Sequence, residues 1–390
     1  MFGIDNLFFK GAGEVKASQT SSMIAMTRLG QPYWSRRDTA SLVRNGYEKN
    51  AIVYRCVRLI SEAAASAPMR VLENGALLNA HPLLALLTRP NADQSGTELL
   101  ENFYGYLQTA GNAYLEAVSI DGDIRELFAL RPDRIKIKPG GAGWPEAYEY
   151  SVGERKTVFR HDGTGLSPVM HLKLFNPGDD HYGLSPLHAA LSSIDLHNAA
   201  SSWNKALLDN AARPSGAIVY KGPEGAENLT AEQFGRIKSE LEENFQGAAN
   251  AGRPLVLDGG LDWRAMSLSP TEMNFIEAKN MAAREIALAL GVPPMLLGIP
   301  GDNTYSNYRE ANLAFWKQTV LPLVRKTAAA LSAWVSPVYP DVSFECQSCD
   351  IDALSAERDA LWDRVTRADF LTDDEKRRLV GVESVNEVTS

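Results

Sequence analysis

The sequence predicts an α+β fold built from several subdomains, and three observations carry that prediction. Apolar residues recur at helical spacing between Asn50 and Ala110, short alternating runs occupy Asn112 to Leu174, and long helical patterns dominate from Ser185 onward. The chain of 390 residues also exceeds one ordinary core, so two to four domains or subdomains are expected.

The elements follow in order. Roughly the first 30 residues are rich in Gly, Ser, Thr and Ala and hold no period, which reads as an arm. Its apolar points, Leu7, Phe8, Phe9, Met23, Ile24 and Met26, suit docking on a neighbour, and a floppy terminus is the competing reading. Structure is expected from about Tyr47. Val53, Cys56, Val57 and Ile60 mark a helix over Asn50 to Ala65, and Met69 to Glu73 reads as a strand stopped by the Asn74-Gly75 turn. Leu99, Phe103, Tyr106 and Leu107 mark a second helix, Gly96 to Ala110. Strand-like runs follow at 113–118, 126–130, 135–137, 148–152 and 169–174, separated by Gly, Asp and Pro.

Ser185 followed by Pro186 starts a helix running to about Ala212, rich in small residues that let helices approach closely. Arg213 to Gly216 stops it. An α/β insert comes next. It has a strand at 217–220, a helix opened by Thr230 and Gln233 with Phe234, Ile237, Leu241 and Phe245 on its buried face, and a hairpin of 254–257 with 261–266. Ser269, Pro270 and Glu272 cap a second long helix that ends at Gly291 before Pro293-Pro294. The segment GIPGDNTYSN at 298–307 reads as a polar loop. A third helix from about Ser306 should kink at Pro322 and end near Pro337. A short strand (342–344) and two helices, 353–368 and 372–380, finish the chain.

Composition narrows the function. Hydrophobic residues at 45% and charged residues at 22% are typical of a globular protein. Thirty-nine basic against 48 acidic residues give a net charge of −9, which argues against wrapping nucleic acid in a basic surface. No apolar run reaches the ~18–20 residues needed to span a bilayer. The N-terminus lacks the basic and apolar regions of a secretory signal, so a soluble, cytoplasmically made protein is expected. Cys56, Cys346 and Cys349 are too few for a disulfide framework.

Enzyme signatures are missing. There is no GxxxxGK[ST] phosphate loop, and Gly183-Leu184-Ser185 departs from GxSxG, so Ser185 reads as a helix cap. Cys346 and Cys349 form a lone CxxC without further ligands. His171, His181 and Asp180 leave a metal-dependent hydrolase as an alternative, although their spacing fits no ligand pattern and Asn176 to His181 reads first as a turn. No catalytic residue, cofactor or metal is expected. The 298–307 loop, held between two long helices, is the best candidate site: Asp302, Asn303, Thr304, Tyr305, Ser306 and Asn307 offer amides, hydroxyls and a ring but no cation. An ordinary surface loop is the competing reading.

Several stretches in order resemble the portal proteins of tailed bacteriophages, the branch with long non-contractile tails. They are YGLSPL at 182–187, GVPPMLLG at 291–298 and TYSN at 304–307, with support from ARPSG at 212–216, GRPLVLDGG at 252–260, Asn50 to Ala63, and FLTDDEKRR at 370–378. The likeness spans roughly residues 45–385. It implies a portal-type multi-domain subunit that assembles as a ring, usually of twelve copies, at one capsid vertex. Residues 1–46 would be a partly disordered arm, 47–184 an α+β wing, 185–213 and 269–291 the two stem helices and 214–268 the clip. Residues 292–335 would be the tunnel loop with a kinked wing helix, and 336–390 a short crown.

The resemblance also implies roles for particular residues. The 302–307 loop would line a DNA channel, with Lys205, Lys279 and Arg284 as sparse channel cations. Ala199, Ala200 and Trp203 would pack subunits together, and Phe234, Ile237, Leu241 and Trp263 of the clip would dock the adaptor or motor. Implied partners are further copies of the chain, double-stranded DNA bound without sequence preference, a large terminase, a head–tail adaptor and the major capsid protein, with no membrane. The implied location is the portal vertex of a virion or virus-like particle, a gene transfer agent included. An acidic channel suits this role, because a strongly basic lining would hold phosphates by counterion release. A monomeric adaptor or scaffolding factor is the further alternative.

Overall fold

The computed structural model describes residues 39–140, 144–160, 165–209, 275–300, 305–348 and 351–380, with the short pieces 216–220, 230, 232–236, 239 and 261–265. The expected arm up to residue 38, the Ser269 cap, strand 254–257 and Cys349 lie outside the described residues.

Helical order begins at Thr39, ahead of Tyr47. A single α-turn, Thr39–Ser41, passes into a π-turn, Leu42–Tyr47, which buries Leu42 and Gly46. Helix α1, Ala51–Ser66, is capped by Asn50, whose Oδ1 accepts from the Ile52 and Val53 amides, and it buries Val53, Cys56, Val57, Ile60 and Ala64. Strand β1, Met69–Glu73, turns at Asn74-Gly75 into the two-residue β2, Ala76–Leu77. Helix α2, Pro82–Thr88, was not expected, although His81 accepting from the Leu83 amide and Pro82 at the first position are ordinary start signals. Helix α3, Gly96–Ala110, starts in a full capping box between Ser95 and Glu98 and stops at Gly111 in the left-handed region.

Three antiparallel sheets build the rest of this region. Strand β3, Asn112–Ile120, lies between β4, Asp123–Leu130, and β8, Val169–Lys173. Strands β5, Ile135–Pro139, β6, Pro145–Val152, and β7, Arg155–Arg160, form a second sheet. Strand β7 carries no apolar alternation strong enough to have marked it. The C-terminal strand β11, Val342–Cys346, returns to pair with β1, from Met69 opposite Cys346 to Glu73 opposite Val342.

One turn, Pro186–Ala189, and then helix α4, Leu191–Asp209, replace the single helix expected from Ser185; the chain breaks at Ala190. Of the insert, β9, Gly216–Tyr220, pairs with β10, Leu261–Ala265, so the described partner of β10 is β9 and not the expected hairpin strand. Thr230 and Gln233 exchange the expected capping bonds. Helix α5, Phe275–Ala289, leads through a 3₁₀ turn, Pro294–Leu297, to the polar loop.

Helices α6, Tyr305–Phe315, and α7, Leu321–Val335, are joined by a π-turn, Trp316–Val320. The expected break at Pro322 takes this form because proline lacks an amide and its ring crowds the carbonyl four residues back, so the preceding turn widens. Helices α8, Ser355–Thr366, and α9, Asp373–Leu379, close the chain, α9 with a capping box between Thr372 and Glu375.

The main core joins α1, α3, β3 and α7, and it includes Leu187, Ala190 and Ile194 next to Ile286, Ala287 and Leu290. The N-terminal end of α4 and the C-terminal end of α5 are therefore rooted in the main core. Each fully buried side chain such as Ile60, Phe103 or Leu107 contributes about 1.5–3 kcal/mol. A smaller core of Tyr114, Leu130, Ile135 and Val169, covered by Tyr148, Tyr150 and Phe159, holds the second sheet on the first.

The region expected as the wing and the start of the expected stem meet at a close crossing. Gly111 has φ +72, and a Cβ there would lie 2.5 Å from the Leu184 and Ser185 backbone; a Cβ at Gly183 would lie 2.1 Å from the Gly111 carbonyl oxygen. The Asn112 side chain bridges this contact. Its Oδ1 accepts from the Gly183 amide at 2.7 Å and lies 3.0 Å from His171 Nε2, and its amide donates to the Ala110 carbonyl at 2.9 Å. The Ser185 hydroxyl donates to the Gln108 carbonyl at 2.8 Å, and its oxygen caps the turn at Leu187. His171 stacks on Tyr114 at 4.3 Å, and burial, helped by Lys173, drives its pKa down to about 3.

Two outcomes follow from this joint. Gly111→Ala should cost about 3 kcal/mol, from left-handed strain plus overpacking. Gly122→Ala, where φ is +90 but no atom lies within 4 Å, should cost only the strain, about 1 kcal/mol; urea unfolding midpoints measure the difference. His171 is neutral when folded but protonates readily when unfolded, so acid favours the unfolded chain, and this contribution to stability is present above about pH 6.5 and lost as pH falls towards 3. Between pH 7 and 5, the wild type should lose about 1–2 kcal/mol more than His171→Gln, measured by urea titration at each pH.

Candidate functional site

Helices α4 and α5, the pair expected to form the stem, pack against each other. The inner face of α4 presents Ser193, Ile194, His197 and Ala200, and α5 answers with Ala282, Ala283, Ile286, Ala287 and Leu290. Serine and alanine at these positions let the backbones approach, and the Ser193 hydroxyl donates to the Glu285 carboxylate. Asn50 ties this pair to the wing: its Nδ2 donates to Asn198 Oδ1 at 3.0 Å and lies 3.1 Å from His197 Nδ1, while Asn198 donates to the Asn45 carbonyl at 2.8 Å. Burial, with Lys279 nearby, lowers the His197 pKa, which keeps Nδ1 free to accept.

The expected subunit-packing residues separate on this helix. Ala199 is exposed and Trp203 half-buried, whereas Ala200 is 2% exposed inside the single chain. Ala200 therefore belongs to packing within the subunit. Helical spacing alone could not show which neighbouring alanine faced inward. Away from the contact, α4 exposes Leu196 and α5 exposes Met281 and Leu288, at 57% and 79%; Ile276, exposed near the start of α5, instead shares the face of Ala283 and Ala287. Met281 and Leu288 stand seven residues apart and so share one helix face. These exposed residues carry no signal of their own in the sequence, because large apolar residues at helical spacing look like core.

The loop after α5 is fixed at its root. Gly291 has φ +68, and its carbonyl accepts from the Thr319 hydroxyl on the π-turn. Val292 and Ile299 are buried, and Arg284 donates to the Pro300 carbonyl. Arg284, expected as a channel cation, thus holds the loop. Lys279 is half-buried and Lys205 exposed. Asp302, Asn303 and Thr304 lie outside the described residues. Tyr305, Ser306 and Asn307 form the first turn of α6 rather than loop, with Asn307 exposed. Within the π-turn, Lys317 pairs with Glu357 of α8.

In the insert, Phe234 is exposed, contrary to the buried face expected for its helix, because the described part of the insert offers it no cover. Ile237 and Leu241 lie outside the described residues, and Trp263 falls on β10. The alternative metal set does not assemble. His171 is committed to Tyr114 and Asn112, the Asp179 carboxylate accepts from the His181 and Tyr182 amides at 2.7 and 3.0 Å, and Lys173 donates to the Asp180 carbonyl. Among the described residues, no three His, Cys, Asp or Glu side chains converge as metal ligands. Cys56 and Cys346 are buried thiols, and burial pushes the Cys56 pKa up to about 12. No described helix is long and apolar enough to cross a membrane.

This architecture has known counterparts. Chains from the neck of a gene transfer agent particle, in reconstructions with C6 and C12 symmetry, match with TM-scores of 0.72 and 0.69 at 50% identity. They cover 94% of this chain, which spans 100% and 99% of theirs. An uncharacterized protein of Rickettsia bellii is 42% identical over 88% of this chain and 89% of its own length. The portal protein of Enterobacteria phage HK97 is 27% identical over 84% of this chain and 77% of its own. The family model for the phage portal protein matches residues 51–381. With the fold, the rooted stem pair and this match together, the chain belongs to the phage portal protein family.

Proposed function

We propose that the chain is the portal, or head–tail connector, of a DNA-carrying particle: copies join in a ring at one capsid vertex, and double-stranded DNA passes through the centre during packaging and ejection. The observation that carries the ring is the stem pair. Its inner face is closed by small side chains within one subunit, while Leu196, Ala199, Met281 and Leu288 stay uncovered on the other side. Apolar groups at this exposure call for a partner surface. A further copy supplies one, and the symmetric neck assemblies matched above support that choice. Twelve copies is the number we infer.

In this reading Asp302 to Asn307 line the channel, as the family resemblance implies. The loop's roots are immobilised by Arg284, Thr319 and buried Ile299. DNA contacts would be few and blind to sequence. An acidic ring holds phosphates weakly and lets them move, since each cation added to the lining would strengthen binding by counterion release. The chain does no chemistry in this scheme; a large terminase supplies the motor, the clip with Phe234 and β10 seats the motor and then the head–tail adaptor, and the wing meets the capsid protein. The particle is a phage virion or a gene transfer agent.

Leu288→Glu should leave the far-ultraviolet circular dichroism unchanged and shift the native mass from a large ring to single subunits, because it buries a charge in the contact. Ala199→Glu should do the same by overpacking. Rings of normal mass in both variants would remove the stripe from the interface. Replacing Asp302–Asn307 with a glycine linker should preserve ring mass and lower the DNA content of particles; unchanged DNA content would take that segment out of the channel.

A further inference from the structure

The β5–β6–β7 sheet has one face turned to the core and one turned outward. Ile135, Tyr148, Tyr150 and Phe159 face inward. Cross-strand register places Lys136, Glu149 and Val158 in one outward row, Lys138, Ala147 and Arg160 in the next, and Ser151 with Lys156 in a third; Ala147 itself is buried between its two long neighbours. Lys136, Lys138, Lys156 and Arg160 are all exposed. Glu149 sits among them, 2.7 Å from Lys138 Nζ and 3.3 Å from Lys156 Nζ, and those two partners hold its carboxyl below the usual range. Among the described residues no carboxylate pairs with Lys136 or Arg160. Four cations around one carboxylate make a distinctly basic face on a chain of net charge −9.

Strand spacing sets its size. Lys138 and Arg160 stand two strands apart, about 10 Å, and successive rows are about 7 Å apart along a strand. Val158, 42% exposed, lies beside Glu149 in the middle of the frame.

We infer that this face docks an acidic protein surface, one that sets carboxylates around an apolar contact. Charge complementarity favours an acidic partner and speeds its capture. The centre of the face selects a protein over a nucleic acid. A phosphate backbone gains from each cation but meets Glu149 and finds nothing to match Val158, whereas a folded protein can place Asp and Glu over the lysines, an apolar side chain on Val158 and a donor on Glu149. The inference stands on this sheet and does not depend on ring formation.

The test uses the full chain and a fluorescein-labelled peptide of four glutamates, one leucine and four glutamates, followed by fluorescence anisotropy at low salt. Lys136→Glu with Arg160→Glu should weaken binding about tenfold or more, Val158→Ser should weaken it about threefold, and added salt should weaken the wild type. Glu149→Gln should tighten binding about threefold, a gain that no loss of folding can mimic. Arg367→Glu, on an exposed residue beyond α8, should change nothing. Binding of a short DNA duplex more tightly than the peptide, through the same lysines, would overturn the inference in favour of nucleic acid. Binding of neither probe would reduce the lysines to guards of the exposed edge strands and would overturn it equally.

Discussion

The close crossing of two glycine backbones holds the molecule's two halves in one geometry. Gly111 ends α3 and Gly183 precedes the stem, and neither position has room for a Cβ. Asn112, His171 and Ser185 satisfy the polar groups that this approach buries. A buried, fully bonded crossing is stiff, because shifting it would strand polar groups away from water. The helices that follow Gly183 therefore leave the preceding α+β region at a set angle, and under the proposed function every copy in the ring inherits that angle.

The same economy recurs along the stem. Asn50 caps α1 and also grips His197 and Asn198, so one side chain starts a wing helix and anchors a stem helix. Gly291 and Thr319 then join the core-rooted C-terminal end of α5 to the π-turn between α6 and α7, and Lys317 carries the connection on to α8. The segment that follows α5, up to Pro300, is thus braced against both α5 and the π-turn. A ring with a narrow centre needs such bracing, since small angular errors would accumulate from copy to copy.

Local chemistry was legible in the sequence wherever a residue acts on its near neighbours. Asn50 before α1, Asn74-Gly75 after β1 and the Ser185-Pro186 start all mark their elements because caps and turns are decided within a few positions. The break at Pro322 was legible too, though its form as a π-turn was not. Strand β7 was missed because its outer face is charged and its inner face contributes only Phe159 to the small core. The family resemblance came from ordered motifs and is matched by the family model over residues 51–381. It did not tell inward Ala200 from outward Ala199, and it did not reveal that Arg284 is occupied by the Pro300 carbonyl. Those facts depend on which face a helix turns to a partner far along the chain, as does the pairing of Gly111 with Gly183, and no local pattern encodes them.

The most direct measurement is a cryo-electron reconstruction of the purified assembly at a resolution that traces helices. The account requires a closed ring in which α4 and α5 surround the central hole, with the first turn of α6 nearest the axis. A reconstruction that puts that turn on the outer rim, or particles with no central opening, would contradict it.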